Sequence, residues 1–269
     1  MKMSLIFANL FAIYKKEVQG YFTSPLAYLI AGVFWIISGI FFVIILQNLL
    51  SQLAQFDLQQ AQFGGASNPI DAASLLLQNF LGSLGVVVIV VMPMLSMGLY
   101  AEERKRGTLE LLATSPVTNW AVAVGKLLGV LTFFLGMLLP IMLYEAIALS
   151  TTEPPFPPIL FLVSHLGLLL MAASILSLGM FISALTDSTL LAAVFTFVLV
   201  LTLWIFQGVG NTAGGGFGAV ASHLSLLKHY DNFVNGVLDS SSLVLFFTYI
   251  ILGVFLTAQA IETFRFQRS

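Results

Sequence analysis

The sequence predicts an all-α integral membrane protein. It has six transmembrane helices, an N-terminal interfacial amphipathic helix, a charged cytoplasmic helix between the second and third spans, and short outer-leaflet helices between the fifth and sixth. Three observations carry that class. Of the 269 residues, 59% are hydrophobic and only 8% are charged, with a mean hydropathy of +1.01. Soluble chains carry about 25% charged residues, so most of this chain's solvent must be lipid. The apolar residues also fall into six runs that meet the length of roughly 20 residues a spanning helix needs. Finally, the runs do not alternate apolar with polar residues, which removes a β-barrel. A helix then remains as the way to satisfy every backbone group in lipid. The chain reads as one transmembrane domain, 1–269, with an interfacial helix (1–24), a charged segment (101–119) and an outer segment (207–242).

Before the first span, Leu5, Ile6, Phe7, Leu10, Phe11, Ile13 and Tyr14 oppose Lys2, Asn9 and Lys16, the last three at seven-residue spacing. This pattern predicts an amphipathic helix in the inner interface, serving as a brace or as a simple anchor. The apolar stretch from Leu5 to Ile13 superficially resembles a signal peptide. Lys15, Lys16 and Glu17 follow it without a small-residue cleavage site, so it is expected to be retained.

The spans are predicted from Pro25 to Leu46, Leu75 to Tyr100, Trp120 to Leu149, Ile159 to Leu185, Leu190 to Phe206 and Leu243 to Ile261. Pro93 and Pro140 fall inside spans and are expected to kink them. The Gln-rich stretch from Ser51 to Ser74 predicts a polar loop or a short surface helix. From Gln207 to Ser242 the chain is too apolar for a free loop and too short to span. It fits either two short helices dipping into the outer leaflet, with His223, Lys228 and His229 near headgroups, or one helix lying flat.

With six spans the termini share a side. Lys2, Lys15, Lys16, Arg104, Lys105, Arg106, Arg265 and Arg268 lie there, with Lys126 beside them, and only Lys228 falls opposite. Basic residues concentrate in the cytoplasm, so a plasma (inner) membrane protein with both termini cytoplasmic is expected.

Chemical motifs are few. Cysteine is absent, which excludes disulfides and thiolate chemistry. His165, His223 and His229 lack the spacing of a zinc protease site, and no metal or nucleic-acid site is expected. His165 reads as a packed, hydrogen-bonded residue. Glu145 and Asp187 sit near span ends, short of the depth at which a charge signals function. Gly125-Lys126 lacks the upstream glycine and following Ser or Thr of a phosphate loop. Gly125 and Gly129 instead form a G-x-x-x-G that permits close helix packing, and Lys126 is expected to snorkel to the surface. No catalytic residue is expected.

The charges crowd into one place, "YAEERKRGTLELLATSP", where Glu102, Glu103, Arg104, Lys105, Arg106 and Glu110 fall within nine residues. Glu102 to Arg106 and Arg106 to Glu110 are helix-compatible ion-pair spacings. Gly107 breaks the run, Thr108 can cap a second short helix through Leu109 and Leu112, and Ser115-Pro116 stops it. Such a segment is either a solvated loop or a docking element whose apolar knobs sit inside a charged rim.

"EERKRGTLELLATSPVT" resembles the hallmark of permease subunits of type-2 ABC exporters, in particular the gliding-motility-type branch. "YFTSPLAYLI" (Tyr21 to Ile30) and "LSLLKHYDNFVNGVLDSSSLVLFF" (Leu224 to Phe247) agree with it. The resemblance implies two six-span subunits, each contacting a separate cytoplasmic ABC ATPase that binds ATP and Mg, and no cofactor in this chain. It makes Glu102, Glu103, Arg104, Lys105, Arg106, Gly107, Thr108, Leu109 and Glu110 the coupling region, with Lys15, Lys16 and Asp187 as possible further contacts on the ATPase side. It also implies that the second and fifth spans line the path, with Met92, Met94, Ser96, Thr196, Phe197 and Trp204 as candidates. The second permease would be an identical copy or a homologue. The rival reading is a non-transporting scaffold that anchors a cytoplasmic partner.

Overall fold

A computed structural model describes residues 3–63, 71–108, 118–152, 156–212 and 215–266, in ten helices and no strand among those residues. They are α1 (Met3–Thr23), α2 (Pro25–Phe63), α3 (Ala72–Ser96), α4 (Gly98–Lys105), α5 (Asn119–Ser150), α6 (Pro158–Leu185), α7 (Thr189–Thr212), α8 (Gly215–Leu224), α9 (Leu226–Val234) and α10 (Ser240–Phe266). Six segments are long and apolar enough to cross a membrane: α2, α3 with α4, α5, α6, α7 and α10. The six predicted runs correspond to these segments one for one.

The bundle is organised around α3 and α6, the two most buried spans; α2 and α7 are the least buried. Small residues and hydroxyls bring the helices together, as expected where lipid removes the hydrophobic drive between them. Between α6 and α10, Ser174 Oγ donates to the Phe246 carbonyl and Ser177 Oγ to that of Tyr249, both at 3.2 Å. Gly253 lies against the backbone of Ser177, where a Cβ would come within 2.5 Å of its carbonyl carbon.

The structure corrects three boundaries. The stretch after Leu46 is not a loop, because α2 runs on to Phe63 with Leu53 and Phe56 half-buried. Residues 64–70 lie outside the described set. α1 is not simply laid on lipid: Leu10, Ile13 and Glu17 pack onto α5, while Phe7 and Phe11 stay about two-thirds exposed. The G-x-x-x-G makes that contact, since a Cβ on Gly125 would sit 2.9 Å from Ile13 and one on Gly129 2.6 Å from Glu17. The outer segment folds as two helices, and α9 inserts into the bundle instead of resting at headgroups. Tyr230 and Phe233 are fully buried there, and Tyr230 donates to the Leu81 carbonyl on α3 at 2.7 Å.

His229 is likewise buried, 3% exposed. Its Nε2 donates to the His223 carbonyl at 3.0 Å, which leaves Nδ1 to accept from Ser242 Oγ at 2.8 Å. Burial holds this imidazole below its ordinary pKa; the hydrogen bond to the His223 backbone opposes it, the His223 and Lys228 charges add to it, and the Asp239 carboxylate opposes it least. Lys228 reaches Ser222 instead.

Candidate functional site

The charged stretch is a helix with a defined end. α4 continues the direction of α3 after a break at Met97, four residues past Pro93. Pro93 removes the ladder donor to the Ile89 carbonyl, and at the break one turn later a side chain from another helix supplies bonds to the ladder. Ser183 Oγ on α6 accepts from the Tyr100 and Ala101 amides at 3.1 and 3.0 Å and donates to the Met97 carbonyl at 2.8 Å. A side chain entering the ladder is a recognised cause of a helix break.

At the other end Gly107 takes a φ of 69°. Its amide bonds the Arg104 carbonyl at 3.1 Å, and that of Thr108 bonds the Glu103 carbonyl at 2.9 Å. This is the Schellman arrangement, which favours glycine at the left-handed position. Thr108 thus closes the helix behind it, its hydroxyl also donating to the Glu103 carbonyl. The predicted second helix, with Leu109, Glu110 and Leu112, lies outside the described residues.

The α4 side chains divide into a buried set and an exposed set. Lys126, two turns into α5, is 2% exposed, so it does not snorkel. Its Nζ bonds Glu17 of α1 at 2.9 Å and Glu103 of α4 at 3.0 Å, and lies 5.0 Å from the Tyr100 ring centre. Lys16 adds a longer contact to Glu103, 3.5 Å. A buried cation is tolerated when it is paired in this way. Nearby, Tyr21 donates to the Leu95 carbonyl at 2.7 Å; burial, then the Glu17 and Glu102 charges, push its phenol far above the usual range. Arg104 donates to the Ala184 carbonyl at the end of α6 at 3.1 Å, a favourable place for a cation.

The exposed set is Glu102, Lys105 and Arg106, and Glu102 and Arg106 form the expected i,i+4 pair at 3.4 Å. Between the two sets opens a cavity of about 720 Å³, lined by Lys16, Tyr21, Ile30, Leu99, Glu102 and Arg106 among others. It has a charged rim and an apolar wall.

Residues 11–269 match the family model described as ABC-2 family transporter protein. The chain belongs to that family. It is therefore a membrane permease of an ABC transporter, a transport component of a family that is generally not itself catalytic. No curated protein matches it in sequence.

The permease brings together some predicted residues and separates others. Lys16, Glu102, Glu103 and Arg106 surround the cavity, while Lys15 faces out from α1. Asp187 is exposed in the three-residue turn between α6 and α7. Ser96 and Thr196 converge on Gly179, where a Cβ would collide with both side chains. Met92 is fully buried, Phe197 is half-buried, and Met94 and Trp204 are 40% and 37% exposed. Ser96, Thr196 and Met92 are packed core in this conformation.

Sequence reasoning missed Glu17, Lys126 and Ser183. One signal was available for Lys126: it lies six residues past Trp120, too deep in its span for an unpaired charge. Glu145, read only as an acid near a span end, has a fully buried side chain with His165 Nε2 at 3.1 Å.

Proposed function

We propose that this permease is the translocating subunit of an ATP-driven exporter of the gliding-motility-type branch, seated in the plasma (inner) membrane with both termini cytoplasmic. It pairs with a second permease, identical or homologous, through apolar faces such as those α2 and α7 leave open. A separate cytoplasmic ATPase binds ATP and Mg, and docks on the exposed α4 residues and the segment after Gly107. The Lys126 network carries this reading. It ties the charged helix to α1 and α5, while Ser183 and Arg104 tie it to α6, so a push on α4 reaches three elements at once. The solvated-loop alternative predicts a segment anchored to nothing. Lys15, Lys16 and Asp187 would extend the docking surface, and the path would open where α3 and α7 now close over Gly179.

The test uses Lys105→Glu with Arg106→Glu, which alters the exposed set and leaves the buried network intact. The native permease, purified gently, should co-elute with an ATPase whose turnover the permease modulates, and the double variant should lose at least tenfold of that recovery while keeping its thermal stability. Full recovery and unchanged turnover in the double variant would refute docking at α4. Co-elution without any dependence of transport on ATP would favour the scaffold.

A further inference from the structure

Nineteen residues beyond Lys126, about 29 Å along α5 at 1.5 Å per residue, lies a second polar centre. Glu145 on α5 is fully buried and His165 on α6 is 5% exposed. His165 Nδ1 is 2.8 Å from the Phe161 carbonyl, one turn back on its own helix. A carbonyl only accepts, so Nδ1 carries a proton. The other nitrogen, Nε2, is 3.1 Å from Glu145 Oε2. That approach is a close contact without hydrogen-bond geometry, and neither Glu145 oxygen nor Nε2 has a hydrogen-bond partner among the described residues.

Proton counting then decides the state of the pair. With Nδ1–H fixed, Nε2 of a neutral imidazole can only accept, and so can both oxygens of an ionised carboxylate. Two acceptors at 3.1 Å in a dry site, with no compensating donor, are strongly unfavourable. One added proton removes the conflict, as a carboxylic acid donating to Nε2 or as an imidazolium donating to the carboxylate, and both forms leave the pair neutral. We propose that Glu145 and His165 form a one-proton binding site between α5 and α6, loaded in this conformation and emptied when the two helices part.

The surroundings contribute no competing charge. Tyr144, adjacent on α5, has a buried hydroxyl with no hydrogen-bond partner, and packs its ring on Phe42 of α2 and Phe80 of α3. From α9, Tyr230 lies within electrostatic reach but gives its proton to Leu81, and Asp231 is engaged by Gln207 at 2.8 Å. The proton is therefore shared by one residue of each helix. Because neither His165 Nε2 nor the Glu145 carboxyl has a second partner among the described residues, separating α5 from α6 leaves both groups unsatisfied until water enters and the proton exchanges.

The experiment is the pH dependence of reversible unfolding of the full chain in bicelles. Between about pH 8 and pH 9 an unfolded chain holds almost no titratable proton on Glu or His, whose reference pKa values are about 4.3 and 6.5. The folded pair holds one. The unfolding equilibrium constant should therefore rise by up to tenfold per pH unit in that window, and Glu145→Gln, whose amide supplies the donor permanently, should flatten the curve. If Glu145→Gln fails to fold, the apolar double substitution Glu145→Leu with His165→Leu takes its place and must flatten it too. A flat native curve, or a slope that survives in a folded variant, would overturn the proposal.

Discussion

Replacing Lys126 with methionine removes the one cation held between two carboxylates while keeping the length and burial of the side chain. Glu17 and Glu103 each approach Nζ at about 3 Å, so their bonded oxygens lie no more than about 6 Å apart. At an effective dielectric constant of about 20, two like charges at that distance repel by about 3 kcal/mol. Lys16, which touches Glu103 from a largely exposed position, offsets little of this. Removing one member of a buried ionic cluster typically costs 3–5 kcal/mol, and the two carboxylates, 14% and 16% exposed, belong at the low end. The deficit should therefore be about 3 kcal/mol at pH 7, measured by reversible unfolding in bicelles. Adding Glu17→Gln and Glu103→Gln should restore most of the loss. A deficit under about 0.5 kcal/mol at pH 7 would mean that Lys126 reaches solvent and that the network does not exist.

Three further outcomes follow from other contacts. Ser183→Ala leaves two buried amides and one carbonyl at the α3–α4 break without partners, and should cost about 1–3 kcal/mol; a loss within 0.5 kcal/mol would show that water repairs the break. Gly129→Val has no room beside Glu17 and should lift α1 from α5, exposing α1 to protease while the spans stay protected. Gly136→Ala, whose Cβ would meet Phe22 at an ordinary 3.7 Å, is the control that should leave the digestion pattern unchanged. His229, held neutral by burial, has a folded pKa below its unfolded value near 6.5. Its contribution is present above about pH 6.5 and is lost as pH falls through the lowered folded value, so His229→Gln should reduce the acid-side slope and leave the slope above pH 7 untouched.

What was legible in the sequence was local. Six spans can be read because lipid demands continuous apolar helix, and Glu102 with Arg106 can be read because four residues make one helical turn. Gly107 can be read because a left-handed residue favours glycine. The end of α2 was not legible: hydropathy detects where a helix leaves lipid, whereas "SQLAQFDLQQAQF" stays helical on good propensity with Leu53 and Phe56 turned inward. The polar centres were illegible for a different reason. Glu17, Glu103 and Lys126 are separated by up to 109 positions, and no spacing rule relates residues on three helices. Glu145 and His165 each looked acceptable alone, near a span end, and only the packing of α5 on α6 makes them one site.

The two polar centres also constrain how the permease can move. α4 is attached to α3 through the interrupted backbone at Met97, where the ladder is completed from α6 by Ser183. Its firm side-chain attachments are elsewhere: Glu103 to Lys126 on α5, and Arg104 to the end of α6. A load on residues 102–108 would therefore bend at Met97 before it dragged α3 along, and would reach α5 and α6 directly. These two helices are attached to α4 at different points, by a buried ion pair and by a backbone cap, so a rotation of α4 displaces one relative to the other. At the far end of α5 that displacement meets the Glu145–His165 contact, whose single shared proton has no alternative partner. The contact must either hold the helices together or give up its proton, which makes the proton count of this pair a direct measure of whether motion at α4 crosses the membrane.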